Sequence, residues 1–175
     1  MDVSDREIRL RSAGAADCPQ LAAWWNDGAV MAHAGFPRGL GTTAEAIREQ
    51  LRSDSDDTRR RLIIECAGRP IGECSFRRLE NRSAEIGIKI CDPAYQERGL
   101  GRRALSLLIR ALFDLGCEKI VLDTNLRNTR AQHVYELLGF RRLRVRTDAW
   151  TDQLGRLQSA VDYELAPADF HSFLP

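Results

Sequence analysis

The sequence predicts an α/β fold in which helices pack on a mixed, mainly antiparallel β-sheet. Short apolar or alternating runs, typical of strands, recur between turn residues along the chain. Two segments past mid-chain have helical spacing and end at a glycine. The 175 residues suffice for one domain with a hydrophobic core, and their 43% hydrophobic and 29% charged content is that of a soluble globular protein.

The first part of the chain is predicted to form one strand and two helices. Residues 7–11 alternate polar and apolar positions, as a strand does, and residues 16–27 are predicted to be helical. Residues 28–41 are rich in glycine and predict a loop or a broken helix. Residues 42–45, Thr-Thr-Ala-Glu, predict a capping box that starts a helix ending near Leu51.

The middle of the chain predicts a three-stranded antiparallel meander. Residues 61–66 and 71–76 form two strands, and residues 68–70, Gly-Arg-Pro, are expected to turn between them. Residues 81–82, Asn-Arg, turn the chain again into a strand over residues 84–90.

The last part predicts two helices and three strands. A helix over residues 102–115 stops at Gly116, a second over residues 130–138 stops at Gly139, and the apolar run 119–123 suits a buried parallel strand. Residues 140–150 and 157–165 form a final hairpin. The predicted order is β-α-α-β-β-β-α-β-α-β-β, in which residues 84–123 form a βαβ unit with a right-handed crossover.

Composition disfavours several classes of function. The formal net charge of +1, from 26 basic and 25 acidic residues, argues against broad nucleic-acid binding. No apolar run approaches the roughly 20 residues of a membrane span, and the first residues do not resemble a signal peptide. The five scattered cysteines form no Cys-x-x-Cys pair, so we expect reduced thiols, no metal site and a cytoplasmic location.

The most informative segment is Gln96-Glu97-Arg98-Gly99-Leu100-Gly101, between a predicted strand and a predicted helix. Its two glycines let the backbone approach a ligand closely. The following helix directs free N–H groups and its positive dipole end into the turn, an arrangement that binds phosphate. A Walker loop would need Gly-Lys-Ser/Thr, and a dinucleotide fold would need Gly-x-Gly-x-x-Gly near the first strand. The remaining alternative is an ordinary helix start.

Two motifs resemble signatures of the GNAT N-acetyltransferase superfamily. These are Gln96-x-x-Gly99-x-Gly101, and Asn128-x-x-Ala131 followed by Tyr135-Glu136-x-x-Gly139-Phe140. The resemblance covers residues 8–165 and is specific over residues 84–140. Residues 24–27 and 84–88 look most like the ribosomal-protein (Rim-like) branch, which also contains antibiotic and small-amine acetyltransferases. The resemblance implies one GNAT domain over residues 1–175, with helices on both faces of its sheet.

The same resemblance implies acetyl-CoA as cosubstrate and a reaction that needs no metal. A splayed strand would pair its backbone with pantetheine, the glycine turn would bind the pyrophosphate, and a later asparagine would contact the cofactor. Asn128 could instead serve only as a helix N-cap. The implied cofactor-binding residues are Ile88, Ile90, Gln96, Arg98, Gly99, Leu100, Gly101, Arg102, Arg103 and Asn128.

Two residues are predicted to be catalytic. Tyr135 matches the family tyrosine that donates a proton or hydrogen bond to the leaving thiolate, although it could be a core aromatic. Glu85 is the first candidate for the base, with Glu73 and Asp123 as weaker candidates, and it could equally be a solvated carboxylate.

Specificity for the acceptor is expected to come from the variable parts of the chain. Trp24 and Trp25 are predicted to bind the acceptor, although their size also suits a core. Residues 28–41 and the hairpin over residues 146–156 are expected to contribute as well.

The sequence thus predicts transfer of an acetyl group from acetyl-CoA to a primary amine. The acceptor would be a protein N-terminal α-amine or, alternatively, an aminoglycoside, a polyamine or another small amine. A non-catalytic acyl-CoA sensor is the alternative from a different class. No nucleic-acid or membrane partner is expected, and the chain could form a homodimer.

Overall fold

Eight strands form one open sheet in the computed structural model, which describes residues 1–175. The strands are β1 (Asp2–Asp5), β2 (Ile8–Ser12), β3 (Arg59–Cys66), β4 (Arg69–Leu79), β5 (Ser83–Ile90), β6 (Lys119–Asn125), β7 (Arg141–Thr151) and β8 (Leu157–Leu165). Their order across the sheet is β1-β2-β3-β4-β5-β6-β8-β7. Only β5 and β6 pair in parallel, which confirms the predicted mixed, mainly antiparallel sheet.

The β5–β6 pairing is short. It covers Ser83 to Glu85 of β5 against Lys119 to Val121 of β6. Past this point β5 stays paired with β4 as far as Ile90, while β6 stays paired with β8 as far as Asn125. The two central strands therefore separate, and the sheet opens in its middle.

Five α-helices cover both faces of the sheet, as the resemblance implied. They are α1 (Cys18–Asn26), α2 (Gly28–Met31), α3 (Ala44–Leu51), α4 (Leu100–Asp114) and α5 (Thr129–Leu137). None of them combines the length and the apolar character needed to cross a membrane.

Two separate cores hold these helices on the sheet. The larger contains 26 buried residues and joins α4 and α5 to Leu62 and Ile64 of β3. The smaller contains eight and joins α1 and α3 to Ile63, which points to the opposite face because successive strand residues alternate. Burial of apolar side chains on both faces is the main stabilising contribution.

Most predicted elements are confirmed, including the meander, the buried parallel strand, the glycine stops of α4 and α5 and the final hairpin. The polar strand β1 and the short helix α2 were not predicted as elements, although residues 28–41 do form the predicted broken helix.

Two local predictions were wrong by one or two residues. The N-cap of α3 is Thr43, whose hydroxyl accepts from the Ala46 amide at 3.2 Å, so the expected capping box is not formed. The β3–β4 turn consists of Ala67 and Gly68, both with positive φ. Pro70 lies inside β4 next to a register shift, where its missing N–H does not interrupt the ladder.

Gly139 should be much less tolerant of a side chain than Gly155. Both have positive φ, +95° and +76°. A Cβ on Gly139 would lie 1.8 Å from the Asp169 carbonyl oxygen, whereas one on Gly155 would meet nothing within 4 Å. We expect Gly139→Ala to lower the free energy of unfolding by more than about 2 kcal/mol and Gly155→Ala by roughly 1 kcal/mol, measured by urea unfolding. Equal losses would contradict the tight packing at Gly139.

Candidate active site

The separation of β5 and β6 creates a cleft that crosses the sheet. This central cleft has a volume of about 780 Å³. Residues 86–90 of β5 form one wall, and residues 123–125 of β6 with the start of α5 form the other. Val30 of α2, His33 just after α2, and Trp150 of β7 also line it. The cleft is therefore lined by elements from both faces.

The predicted glycine turn lies at the α4 end of this cleft. Gly99 is the N-cap of α4, with φ of +74°, a conformation that favours glycine. The amides of residues 97–102 donate to no carbonyl or side chain of the protein, and the first amide used inside α4 is that of Arg103, to the Gly99 carbonyl at 3.3 Å. Unused amides together with the helix dipole can bind a phosphate group.

Gln96 and Asn128 connect the turn to the walls of the cleft, which both residues line. The Gln96 side chain donates to the Ile90 carbonyl at 2.9 Å and accepts from Arg130 at 3.4 Å. Asn128 is the N-cap of α5, because its side-chain oxygen accepts from the Ala131 amide at 3.3 Å. Its role as a cap does not remove it from the cleft.

The three arginines of the turn have different positions. Arg102 folds back over the turn, with its guanidinium 4.7 Å from the Phe173 ring centroid and its Nε 3.2 Å from the position of a Cβ on Gly99. Arg98 lies over the Tyr95 ring at 5.2 Å.

Arg103 differs from the prediction. It forms ion pairs with Asp5 at 3.6 Å and Glu7 at 2.8 Å, so it ties α4 to the β1–β2 turn instead of facing the glycine turn. Leu100 is also buried in the larger core, and only its backbone faces the turn.

The β5 wall fits the expected cofactor strand. Ile88 and Ile90 line the cleft, and β5 has no strand partner on this side beyond Glu85. The β4–β5 register runs without a shift through the pair Ser75 and Gly87, so Gly87 does not mark a bulge.

Tyr135 lies in the wall of the cleft with only 7% of its surface exposed. Its ring packs between Phe140 and Tyr163, each at 5.8 Å between centroids. Burial, reinforced by the negative charge of Asp123, raises the pKa of the Tyr135 phenol to about 12. The phenol is therefore protonated at neutral pH and can donate a hydrogen bond.

Glu85 is not brought together with Tyr135. Its carboxylate is 41% exposed, pairs with Arg77 at 2.6 Å, and lines a neighbouring cavity instead of the central cleft. The ionisable side chains that share the cleft with Tyr135 include Asp123, which accepts from Arg146, and His33. The assignment of Glu85 as the base stays a prediction, and its ion pair does not favour it.

Trp24 and Trp25, which were predicted to bind the acceptor, lie in the smaller core. They are 8% and 6% exposed, and the Trp25 indole donates to Glu73 at 2.8 Å. The apolar face of α1 must cover the sheet, which places both rings inward.

The tryptophan of the cleft is Trp150, which packs directly against Gly35. Of the two variable segments, residues 28–41 line the cleft through residues 29, 30, 33 and 34, and residues 146–156 through Trp150 alone. Their contribution to specificity stays a prediction.

Comparison with models of protein families identifies the family of this chain. The model of the acetyltransferase (GNAT) domain matches residues 7–141. The chain is therefore a member of the GNAT acetyltransferase family.

Curated relatives match over part of the chain. Spermidine N(1)-acetyltransferase of Escherichia coli K12 is 35% identical over 88 residues, which are 49% of this chain and 47% of that protein. N-alpha-acetyltransferase 30 of Dictyostelium discoideum is 28% identical over 86 residues, 47% of this chain and 46% of that protein. The chain thus spans about half the length of the curated relatives it matches.

Solved structures show the same fold over almost the whole chain. Spermidine N-acetyltransferase from Vibrio cholerae, in complex with CoA and spermine, has a TM-score of 0.83 and 23% identity, covering 93% of this chain and 97% of that one. RimL, a ribosomal L7/L12 α-N-protein acetyltransferase in complex with CoA, has a TM-score of 0.84 and 19% identity, covering 95% and 98%.

Titration of Tyr135 tests the burial of its phenol. We expect no ionisation of Tyr135 until the pH rises well past the ordinary value of 10.0 towards about 12. Because the folded state holds this proton more tightly, its contribution to stability falls as pH rises from 10.0 to about 12. The near-ultraviolet absorbance of wild type minus Tyr135→Phe reports the ionisation, and a full difference signal already at the ordinary pKa would contradict the burial.

Proposed function

We propose that the chain is an acetyl-CoA-dependent N-acetyltransferase that acts on a primary amine. One observation carries the proposal: the unused amides of the glycine turn and the buried Tyr135 hydroxyl belong to a cleft that is lined from both faces of the sheet. Two substrates could thus meet inside the sheet, each entering from its own side. Family membership and the names of the relatives support the same activity.

The residues present fit acetyl-CoA. The amides of residues 97–102 and the Arg102 guanidinium would hold the pyrophosphate, since both offer N–H donors and positive charge. The unpaired edge of β5 over residues 86–90 offers backbone groups to the amides of pantetheine. When bound, acetyl-CoA supplies the activated acetyl thioester.

Tyr135 would stabilise the negative charge that develops on the leaving sulfur. A thiol has a pKa near 8.5, so complete proton transfer from a phenol of pKa about 12 would cost roughly 5 kcal/mol. The side chain therefore acts as a hydrogen-bond donor to the thiolate, and solvent provides the final proton. Its packing between two rings fixes the direction of that donor.

The acceptor amine would enter from the side of α2 and Trp150. At about pH 7.4, an α-amine with a pKa near 8 needs less than about 1 kcal/mol to lose its proton, whereas a lysine-like amine needs roughly 4 kcal/mol. Asp123 and His33 line the central cleft and could receive the amine's proton directly or through water. A protein N-terminal α-amine is therefore the acceptor whose deprotonation requires the least help from these two side chains.

Several expectations from the sequence stay predictions. They are a single domain over residues 1–175, the cytoplasmic location, the homodimer, and independence from metals, nucleic acid and membranes.

Gly99→Glu should abolish acetyl-CoA binding. The added side chain and its negative charge would occupy the position of the pyrophosphate, in a turn where Arg102 already lies close. Isothermal titration calorimetry measures the affinity. Gly155→Glu is the matched control, because it introduces the same side chain at a positive φ in open space. Unchanged affinity in a folded Gly99→Glu variant would remove the turn from the cofactor site.

Tyr135→Phe should lower kcat by about 10- to 100-fold and leave acetyl-CoA affinity unchanged, because only the hydroxyl is lost. Thioester consumption with a panel of amines gives the rate, and Tyr163→Phe, whose hydroxyl donates to Glu136 instead, is the control. Wild-type turnover in Tyr135→Phe would leave Tyr135 as a packing residue. Binding of acetyl-CoA without turnover of any amine would favour the sensor.

A further inference from the structure

A second cavity lies on the α3 face of the sheet. Cross-strand pairing places Arg59 beside Arg77, and Arg77 beside Glu85. In the next row with the same orientation, Arg61 pairs with Ser75, and Ser75 with Gly87. The small residues Ser75 and Gly87 leave space in the middle of this group. The result is a cavity of about 380 Å³, closed on one side by Gln50, Leu51 and Asp54, which we call the arginine cavity.

The lining of the arginine cavity is predominantly basic. Three arginines on this face of the sheet, Arg59, Arg61 and Arg77, meet two carboxylates, those of Asp54 and Glu85. Arg60 also borders the cavity, but its strand position belongs to the opposite face and its side chain pairs with Asp56. The central cleft, by comparison, is lined by two arginines, Arg127 and Arg130.

Existing contacts use only part of the hydrogen-bonding capacity of these arginines. Arg77 directs both its Nε and Nη2 to a single oxygen of Glu85, and Arg59 lies 3.8 Å from Asp54. A guanidinium has five N–H donors, so each of these residues keeps donors available for another acceptor.

Arg61 is held in place by buried groups. It stacks on the Trp25 ring at 4.4 Å and pairs through one nitrogen with Glu73, which is 2% exposed. Although burial opposes ionisation, the charges of Arg61 and Lys89 lower the pKa of Glu73. One end of the guanidinium is therefore fixed, and its Nε and Nη2 are left without a protein acceptor.

The arginine cavity adjoins the central cleft. Ile86 and Gly87 line both spaces. A Cβ on Gly87 would meet only the Ser75 hydroxyl, at 3.6 Å, so the absent side chain keeps this point open. Glu85 lies two residues before Gly87 in β5, roughly 7 Å away, and Arg77 is its cross-strand partner in β4.

We propose that the arginine cavity binds a carboxylate of the acceptor, so that the acceptor is a primary amine that also carries an acidic group. This inference rests on the proposed function and narrows its substrate class. Guanidinium groups recognise carboxylates through paired hydrogen bonds, and they repel a polycation. An acidic peptide N-terminus fits this description, whereas a polyamine does not.

Three synthetic tetrapeptide amides test the inference. They are Ala-Glu-Ala-Ala, Ala-Gln-Ala-Ala and Ala-Lys-Ala-Ala, which share one α-amine and differ only in the second side chain. Wild type should acetylate the Glu peptide with a kcat/KM about 10-fold or more above that of the Gln peptide, and the Lys peptide more slowly still. Equal values, or faster acetylation of spermidine than of the Glu peptide, would overturn it.

Variants at the exposed ends of the cavity locate the effect. Arg59→Gln/Arg77→Gln should reduce the Glu-to-Gln preference to within about threefold, because both replaced side chains are more than half exposed and their loss should spare the core. Arg110→Gln/Arg142→Gln removes the same charge from exposed positions outside both cavities and should keep the preference. A preserved preference in the first variant would overturn the assignment. If that variant does not fold, Arg77→Gln alone should still halve the preference or more.

Direct binding separates this inference from the proposed activity. Calorimetry with the CoA-saturated protein should show tighter binding of the Glu peptide than of the Gln peptide. If the Glu peptide binds more tightly but neither the peptides nor any amine of the panel is acetylated, the carboxylate site stands and the proposed activity fails. If peptides are acetylated without regard to the second residue, the activity stands and the carboxylate site fails.

Discussion

The end of the β5–β6 pairing after Glu85 and Val121 is the constraint on which the rest of the site depends. Both strands keep a partner on their outer sides, so their separation leaves an unpaired backbone edge in the middle of the sheet. Such an edge is unfavourable unless polar groups meet it. The structure thus combines a frame of paired strands with a central row of backbone donors and acceptors that face the cleft.

The two faces of the sheet then provide different chemistry to the same opening. The α4 and α5 face supplies amide donors and a neutral phenol, which suit phosphate and a developing thiolate. The α1 and α3 face supplies paired arginines around small residues. Because strand residues alternate, the side chains of β5 contribute to both: Ile86, Ile88 and Ile90 belong to the first face, and Glu85, Gly87 and Lys89 to the second.

Features set by local sequence were predictable, and those set by packing were not. The glycine turn, the α5 N-cap and the strand–helix order follow from residue types at short spacing, and the structure has them. The roles of long side chains were harder to predict, because an arginine or tryptophan can reach several partners. Arg103 forms an ion pair with Asp5 of β1, and the Trp25 indole donates a hydrogen bond to Glu73. Local sequence does not identify Trp150 as a cleft residue, because its partner Gly35 is distant in sequence. Only the expectation that its hairpin borders the acceptor pointed to it.

The ion pairs of Arg103 with Asp5 and Glu7 link the glycine turn to the edge of the sheet. Strand β1 has four residues and one neighbouring strand, so fewer backbone contacts oppose its local unfolding than oppose that of an inner strand. Each such opening releases a contact that orients the first turn of α4. By thermodynamic linkage, a ligand held at that turn must in return suppress fraying of β1. Binding at the glycine turn and order at the N-terminal edge are therefore coupled in this fold.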